Sequence, residues 1–345
     1  MKIDYLIVGN GLAGIMLCET LRKLGKSFRL ISDNSQQASI VASGLYNPVV
    51  LKRFNKAWNA DKQLPLALSV YEILESFLKI KIDTKIPIYR VFHSEEEQNN
   101  WFISCDRLEL EPFLVPKIID NNNKNIKAPF GYGIVRHTGR IDTRLLLESY
   151  HYYLKQKGLL IAHTFDYNDL DNKAELKYKD FEARQIIFAE GFGMKKNPFF
   201  NKLPLQGTKG ELLVIRAPHL KSETILKSNI FIIPISNDKY LVGSTYARKD
   251  YSNQPTQNAK IKLVDKLKGL ISCDFDIVQH RAGIRPTVPD RRPLVGQHVD
   301  YKNIYILNGL GSRGVLIAPT VAKNLIDFIE LGIPLDEEIN IKRFQ

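Results

Sequence analysis

The first thirty residues alternate between apolar runs and a glycine-rich turn. Residues 3–8, IDYLIV, form a β-branched and aromatic run that is typical of a buried strand, and GNGLAG follows directly. The next residues, IMLCETLRKLG, carry apolar side chains at near-helical spacing up to Gly25, and SFRLIS at 27–32 is a second strand. The pattern therefore predicts a βαβ unit at the start of the chain.

Further helices and strands follow from the same periodicities. Helices are predicted at 64–80, 143–157 and 315–332, and strands at 158–165, 185–189 and 303–309. From about 205 to 285 the short runs ELLVI, IFIIPI and KYLVGSTY are separated by turn residues, which favours an antiparallel sheet.

The order of these segments predicts the fold class. We expect an α/β fold, α+β overall, in which a Rossmann-like nucleotide-binding domain is interrupted by an antiparallel-sheet substrate domain. The length of 345 residues fits two such domains. We assign 1–80, 140–204 and 284–345 to the nucleotide-binding domain, and 81–139 and 205–283 to the substrate domain.

Composition predicts a globular protein of the cytoplasm. Charged residues make up 25% and hydrophobic residues 44%, which is ample for a core. Asp4 and three glycines interrupt the apolar N-terminus and no cleavage site follows, so we expect no signal peptide. No apolar run approaches the roughly 18 residues of a membrane span, so we expect no membrane association. Reduced thiols are the expected state of three scattered cysteines, Cys18, Cys105 and Cys273.

The charge balance is strongly basic. Lys and Arg number 49 against 37 Asp and Glu, a net charge of +12. Such a surface favours a polyanionic partner such as a nucleic acid, but a basic protein that is merely soluble has the same composition. Charge alone leaves both interpretations open.

The glycines of GNGLAG match G-x-G-x-x-G in a meaningful context, after a strand and before a helix. Gly9 permits the tight turn, Gly11 lets the backbone approach a pyrophosphate, and Gly14 allows the helix and strand to touch. Leu12 and Ala13, between the last two glycines, belong to the same loop. We therefore predict dinucleotide binding.

The second strand ends without the acidic residue that usually holds the adenosine ribose. Ser32 occupies that position and Asp33 follows, so either residue is a candidate for the ribose. Arg313 is a second candidate for anion binding. It stands between glycines just before a predicted helix, where backbone amides already attract negative charge.

Six separated motifs, in order, carry a family resemblance over nearly the whole chain. The motifs are ASIVASGLYNP (38–48), GRIDTRLLLESY (139–150), IIFAEGFG (186–193), YLVGSTY (240–246), AGIRPTVPDRRPLVG (282–296) and NGLGSRGVLIAP (308–319). Together with the glycine loop, they resemble the D-amino-acid oxidase and glycine oxidase family of FAD enzymes. The resemblance implies an FAD-binding domain, an FAD cofactor and an oxidase acting on an amine or amino acid.

The resemblance also implies contacts to the cofactor. The implied contacts beyond the glycine loop are Ala42, Ser43, Gly44, Tyr167, Ala189, Gly191, Gly311, Ser312, Gly314 and Val315. Glu190 departs from the small residue that the family has there. A carboxylate repels a pyrophosphate, so we expect its side chain to point away.

The resemblance implies the substrate contacts as well. Arg285 of AGIRP matches the residue that grips the substrate carboxylate, since a guanidinium holds a carboxylate with two hydrogen bonds and aligns the α C–H for hydride transfer. Arg313 would stabilise negative charge near the flavin and the carboxylate, and Tyr246 is a candidate polar contact. No cysteine lies near either arginine motif, so we expect non-covalent FAD. The histidines lack metal-ligand spacing, so we expect no metal.

Within the family, the motifs look most like the oxidase that acts in completing 5-methylaminomethyl-2-thiouridine in tRNA. Its substrate is the carboxymethylaminomethyl group of a wobble uridine, an N-substituted glycine. The net charge agrees with tRNA binding. LKRFNKAW (51–58) mixes apolar, aromatic and basic residues, as expected at the rim of a site that binds an extruded base. A basic amphipathic surface helix is the alternative interpretation.

Two other functions remain open at this point. The chain is alternatively an oxidase of a small free amino acid such as glycine, sarcosine or a D-amino acid, or a flavoprotein that binds tRNA without turnover. Members of the tRNA subgroup carry a methyltransferase domain in front of the oxidase, whereas this sequence begins at the FAD loop. We therefore expect a separate methyltransferase or a product that stops at the aminomethyl stage. The sequence does not define the oligomeric state.

Overall fold

A computed structural model describes residues 1–172 and 175–344 of the chain. In chain order the strands are β1 (Lys2–Val8), β2 (Phe28–Ile31), β3 (Leu45–Tyr46), β4 (Val49–Val50), β5 (Asn55–Lys56), β6 (Asp83–Lys85), β7 (Ile88–Val91), β8 (Leu114–Ile119), β9 (Tyr132–Val135), β10 (Gly139–Ile141), β11 (Leu160–Ile161), β12 (Leu170–Asp171), β13 (Leu176–Tyr178), β14 (Phe181–Phe188), β15 (Gln206–Arg216), β16 (Ile225–Lys227), β17 (Phe231–Ser236), β18 (Lys239–Gly243), β19 (Asp276–Thr287), β20 (Leu294–Gln297) and β21 (Ile304–Asn308). The α-helices are α1 (Leu12–Lys23), α2 (Ala38–Val41), α3 (Ala60–Leu78), α4 (Glu95–Cys105), α5 (Thr143–Gln156), α6 (Gln257–Lys268) and α7 (Gly314–Leu331).

The first of two eight-stranded sheets has a parallel centre. Strands β11, β2, β1, β14 and β21 lie side by side in this order, all parallel, and β20, β13 and β12 add antiparallel strands at the margins. Helix α1 connects β1 to β2, so the predicted N-terminal βαβ unit is confirmed.

Both faces of this sheet are covered, which explains the continuous apolar run in β1. Tyr5 and Ile7 pack on the side of helices α1, α3, α5 and α7, whereas Leu6 and Val8 pack on the other side with aromatic residues such as Phe165. A parallel strand buried on both faces has no reason to alternate with polar residues. The glycine loop after β1 therefore stands on a rigid base.

The second eight-stranded sheet has the order β19-β15-β18-β17-β16-β7-β9-β8. Strands β15, β17, β18 and β19 pair antiparallel, as predicted for the segment from 205 to 285. The pair β16 and β7 is parallel and joins two distant parts of the chain. Helix α6 packs its apolar residues Leu263 and Leu267 into the core on one face of this sheet.

Three local predictions differ from the structure. The helix predicted from 64 begins at Ala60, because Asn59 adopts left-handed backbone angles (φ 48°) and reverses the chain one residue earlier. The strand predicted at 158–165 is only β11. The helix alternative for LKRFNKAW is wrong: residues 51–54 form the turn between β4 and β5, with Phe54 at a positive φ of 45°, and β5 follows within the segment.

The extent of the two domains stays a prediction, and one strand complicates it. Strand β19 runs without a break through the boundary placed between 283 and 284 and is paired with β15 along its length. Within the described residues, no helix has the length and apolarity that a membrane span needs.

Candidate active site

A cavity of about 660 Å³ is lined by residues of both large sheets. This volume lies in the range of small-molecule and cofactor sites. The predicted site residues that line it are Gly9, Gly11, Leu12, Ala13, Ser32, Asp33, Ala42, Ser43, Gly44, Tyr167, Ala189, Gly191, Tyr246, Arg285, Gly311, Ser312, Arg313, Gly314 and Val315. The fold thus gathers residues from distant segments of the chain around one space.

Gly14 is the predicted cofactor residue that the structure does not bring to the cavity. A Cβ added there would lie 1.8 Å from the Gly9 carbonyl oxygen, so this glycine serves close packing of α1 against the loop. Gly9 itself has a φ of 107°, and a Cβ on it would lie 2.4 Å from the Ala189 oxygen. The close approach agrees with the role expected of Gly14, contact between helix and strand, and its assignment to the cofactor site stays a prediction.

The N-terminus of α1, which carries a partial positive charge, faces the cavity. Gly11 precedes the helix, the first turn contains no acidic residue, and the Leu12 amide donates a 3.1 Å hydrogen bond to Ser39 Oγ. Because helix N-termini with approachable backbone attract phosphate groups, this loop fits the pyrophosphate of a dinucleotide. The tight course of this loop depends on Gly9 and Gly14, because a Cβ at either position would collide with neighbouring backbone.

Ser32 and Asp33 lie at the end of β2 and behave differently. The Asn34 amide donates to Ser32 Oγ at 3.1 Å, and Ser32 is buried. Asp33 accepts hydrogen bonds from the Ser35 amide at 2.9 Å and from Thr164 Oγ1 at 3.1 Å. Partial burial acts to raise the pKa of Asp33, but these hydrogen bonds outweigh it and lower the pKa. Asp33 is therefore an ionised acceptor at the cavity wall.

Glu190 is buried at the same end of the cavity. Its carboxylate accepts hydrogen bonds from the Tyr167 hydroxyl and, at 2.7 Å, from Asn197 Nδ2. Burial raises the pKa of Glu190 to about 7, with the charge of Asp33 adding to the effect. Both carboxylate oxygens are thus occupied by protein donors, which reduces the charge that a nearby pyrophosphate meets.

Arg285 projects from β19 into space that Gly210 leaves open. Gly210 and Gly283 are directly paired across β15 and β19, and a Cβ on Gly210 would lie 2.0 Å from Arg285 Nη2. Arg285 Nη1 donates to the Thr245 carbonyl at 3.3 Å. No acidic side chain of the described residues pairs with this guanidinium, and burial lowers its pKa.

Arg313 occupies the position just before α7. A hydrogen bond of 2.9 Å from the Gly311 amide to the Pro286 carbonyl ties its loop to the strand that carries Arg285. Burial, and then the charge of Arg291, lower the pKa of Arg313. In the described part of the chain this arginine too has no carboxylate partner.

Tyr246 lies at the rim of the cavity rather than inside it. Its side chain is 69% exposed, and the Arg285 guanidinium carbon lies 4.7 Å from the centre of its ring. The Tyr246 hydroxyl also interacts electrostatically with Arg313. The tyrosine therefore flanks both arginines, stacking on one of them.

Sequence reasoning named Lys52 only as part of a candidate rim and missed two further cationic lining residues, Lys196 and Lys227. Lys52, Lys196 and Lys227 line the cavity with Arg285 and Arg313. Lys52 stands in the segment predicted as a rim, but Lys196 and Lys227 lack any motif. Only strand register brings Lys227 to the cavity, because β16 pairs with β7 and β17.

The two carboxylates and the two arginines of the cavity wall lie on different elements. Among the described lining residues, Asp33 and Glu190 are the carboxylates, and both lie beside the glycine loop. The cations Arg285 and Arg313 lie at the part formed by β19 and the start of α7. The arrangement separates a nucleotide-binding end from an anion-binding end.

A glycine loop on a parallel sheet, facing an anion-binding pocket on a second sheet, defines a class of dinucleotide-dependent enzymes with a composite active site. The chain belongs to the DAO family of FAD dependent oxidoreductases, whose family model matches residues 4–328. FAD is the cofactor of this family, and the glycine cradle fits it. Cys18, Cys105 and Cys273 do not line the cavity.

Individual relatives have different activities. The chain is 29% identical to a glycine oxidase of Bacillus licheniformis, over 98% of this chain and 95% of that one. It is 22% identical to the tRNA 5-methylaminomethyl-2-thiouridine biosynthesis bifunctional protein MnmC of Legionella pneumophila, over 96% of this chain but only 54% of that protein. The matched segment spans 64% of the Bacillus subtilis glycine oxidase. The crystal structure of Bacillus cereus glycine oxidase has the same fold, with a TM-score of 0.82 at 16% identity over 97% of this chain and 99% of that one.

Proposed function

We propose that this FAD-dependent oxidoreductase oxidises the C–N bond of a glycine-like secondary amine, and that the amine is the carboxymethylaminomethyl group of a tRNA wobble uridine. The observation that carries the proposal is the pair of partly buried guanidinium groups, Arg285 and Arg313, which lack acidic partners in the described structure. A buried cation without a partner is costly unless a ligand supplies the anion. The carboxylate of an N-substituted glycine is such an anion.

The reaction removes two electrons and two protons from the amine. Bound FAD would supply the two-electron acceptor for the hydride that leaves the CH₂ group between the nitrogen and the carboxylate, and the nitrogen would lose a proton. Water then adds to the resulting imine, the C–N bond breaks, and glyoxylate and a primary amine are released. The role of the protein is to bind the carboxylate through Arg285 and Arg313 and so to hold the CH₂ group in a fixed orientation.

The positive charge of the cavity wall also affects the protonation state of the amine. Nearby cations disfavour an ammonium group, so a secondary amine enters this pocket in its neutral form more readily than in water. A neutral nitrogen has a free lone pair and needs no side-chain base to start the oxidation. Histidine or carboxylate bases are not found among the described lining residues near Arg285.

Two features support a tRNA-borne substrate. The similarity to the tRNA-modifying bifunctional protein extends over 96% of this chain. In addition, Lys52 and Lys196 are exposed at the cavity wall, where phosphate groups of a nucleic acid can reach them. The net charge of +12 agrees with such a partner.

The second candidate is an oxidase of a small free amino acid. It is favoured by the 29% identity to a glycine oxidase over almost the whole chain. The two candidates share the chemistry and the roles of Arg285 and Arg313, and they differ in what is attached to the nitrogen.

Anaerobic mixing of the FAD enzyme with each substrate separates these functions. Loss of the oxidised flavin absorbance with tRNA that carries carboxymethylaminomethyluridine, but not with glycine, sarcosine or D-alanine, is the expected result. Reduction by the free amino acids alone would establish the second candidate. If tRNA shifts in a gel but nothing reduces the flavin, the protein is a non-catalytic tRNA-binding flavoprotein.

A matched pair of variants tests the carboxylate site in the same assay. Arg285→Ala is expected to keep FAD and to lose substrate reduction. Arg281→Ala is the control, because Arg281 lies on the same strand but contacts Gln279 and does not line the cavity. Equal turnover of the two variants would remove Arg285 from its proposed role.

A further inference from the structure

Lys227 is a cation of the cavity wall that the proposed chemistry does not use. It ends strand β16, and its ammonium donates a 2.9 Å hydrogen bond to the carbonyl of the next residue, Ser228. The charged groups that act on it are Arg90 of β7, which is ion-paired with Glu97, and Lys266 of α6. Burial, followed by these two charges, lowers the pKa of Lys227 to about 8. No carboxylate of the described residues compensates its charge.

The register of the second sheet locates Lys227 relative to Arg285. Lys227 pairs with Phe231, Phe231 pairs with Gly243, and Gly243 pairs with Leu212 of β15. Two residues before Leu212 on β15 stands Gly210, over which the Arg285 guanidinium lies. Three strand spacings and two residues along a strand put Lys227 and Gly210 about 16 Å apart along the sheet. A ligand that contacts both cations, at about 3 Å at each end, must therefore hold its two anionic groups about 10 Å apart.

The residues between these two cations leave room for a ligand. Gly210, Leu212, Phe231 and Ser244 line the cavity along this path, and none of them is charged. The cavity floor therefore carries a cation at each end of a largely apolar stretch. One ligand that spans the stretch would meet Arg285 with one anionic group and Lys227 with another.

The separation decides which second anion fits. Two carboxylates attached to one nitrogen through CH₂ groups have carboxyl carbons at most about 5 Å apart, by ordinary bond lengths. In a 5-carboxymethylaminomethyl uridine nucleotide, several further bonds separate the carboxylate from the 5′-phosphate, so a distance of about 10 Å is within reach. A phosphate on the same nucleotide therefore matches the spacing better than a second carboxylate.

We propose that Lys227 binds the phosphate of the nucleotide that carries the amine and thereby selects nucleotide-borne amines over free ones. This inference rests on the proposed function, because it takes the uridine side chain as the reacting group. Lys227 is a specificity-determining residue that acts on binding, and it lies too far from Arg285 to share the same carboxylate.

The test compares two substrates that differ only in the phosphate. The FAD enzyme is mixed anaerobically with 5-carboxymethylaminomethyluridine and with its 5′-monophosphate, and kcat/KM for flavin reduction is measured for each. The wild-type enzyme is expected to prefer the nucleotide. Lys227→Met is expected to lower that preference about 10- to 100-fold, as loss of a charge-assisted hydrogen bond does, and to leave the nucleoside rate within about twofold. Lys227→Arg should keep the preference.

The control variant is Lys262→Met, on the exposed side of α6, which should change neither rate. The proposal is overturned if Lys227→Met keeps the full preference for the nucleotide, or if it loses both substrates equally. Iminodiacetate, which carries two carboxylates on one nitrogen, tests whether the second anion is a carboxylate. Should Lys227→Met lose activity on iminodiacetate and not on the nucleotide, the second anion is a carboxylate and the phosphate assignment is wrong.

A binding measurement keeps the test independent of the proposed reaction. Uridine 5′-monophosphate is titrated into the wild-type enzyme and Lys227→Met, and binding is followed by the change in the flavin spectrum. About tenfold weaker binding by the variant supports the phosphate site even if neither amine reduces the flavin, in which case the proposed function alone fails. Equal binding, or no binding by either protein, overturns the role of Lys227.

Discussion

Replacing Gly210 by alanine tests the carboxylate site without touching its arginine. A Cβ at this position would lie 2.0 Å from Arg285 Nη2 and 2.2 Å from Cζ. Non-bonded heavy atoms settle at about 3.5 to 4.0 Å, so the guanidinium must move by about 1.5 Å. The obstacle is the far end of a flexible side chain, and we therefore expect Gly210→Ala to fold and to bind FAD normally.

The displacement should be costly for a substrate that binds through its carboxylate. A hydrogen bond to a charged group contributes about 1.5 to 3 kcal/mol, and a guanidinium moved by this distance loses one of its two bonds and weakens the other. The expected loss is about 2 to 4 kcal/mol, which corresponds to about 30- to 1000-fold in kcat/KM. The assay is the rate of anaerobic flavin reduction by the amine that the wild-type enzyme oxidises, with acetate binding, followed in the flavin spectrum, as a second readout.

Two comparisons make the result specific. Gly269→Ala is the matched control, because a Cβ there meets the Lys266 oxygen at an ordinary 3.4 Å. In an Arg285→Ala background, Gly210→Ala should have little further effect, since both changes act through one contact. Wild-type kcat/KM and acetate binding in the Gly210→Ala variant, at equal FAD content, would refute the assignment of Arg285 to the carboxylate.

Three further predictions concern the fold and the cofactor site. Burial raises the pKa of Glu190 from 4.5 to about 7, so the folded protein holds this proton more tightly and loses stability as the pH rises between these values. Glu190→Gln should therefore raise the free energy of unfolding at pH 8 by up to about 3 kcal/mol, seen as a higher Tm, and should leave Tm unchanged at pH 4. Gly44→Ala should abolish FAD binding or folding, measured as the flavin-to-protein absorbance ratio, because its Cβ would lie 1.7 Å from a carbonyl oxygen at a φ of 74°, whereas Gly158→Ala, at a φ of 63° with open space, should keep the flavin. Asp250→Asn should speed proteolysis at 247–256 and lower the urea midpoint, because buried Lys209 then loses the carboxylate 2.6 Å from its ammonium; an unchanged cleavage rate would contradict this.

The parts of the fold that were predictable are those with strong local patterns. A run such as IDYLIV has one stable environment, a strand covered on both faces, and the glycines after it allow few conformations other than a tight turn. The short strands were not predictable, because β7 and β16 are three to four residues long and owe their pairing to partners more than a hundred residues away. The local sequence of such a short strand does not indicate which distant strand it pairs with.

The same limit applies to the site. Arg285 and Arg313 stand in glycine- and proline-rich motifs that restrict the backbone, and the sequence of these motifs is enough to make both arginines candidates. Lys227 stands in ETILKSNIF, where a lysine before a turn is ordinarily a solvated surface residue. Its place in the cavity follows from the register of β16 with β17, which sequence periodicity over three residues cannot define.

Among the residues that the structure describes, no acidic side chain pairs with Arg285 or Arg313, and this connects the three chemical features of the proposed site. The same uncompensated charge attracts the substrate carboxylate, lowers the tendency of the amine to be protonated, and so removes the need for a base among the lining residues. An acidic residue near these arginines would neutralise them and would favour the ammonium form, which cannot lose a hydride readily because its lone pair is occupied. In the proposed function the site works through the charge that it leaves unpaired. An acidic substitution there, rather than the loss of a side-chain base, should then be the more damaging change to the oxidation.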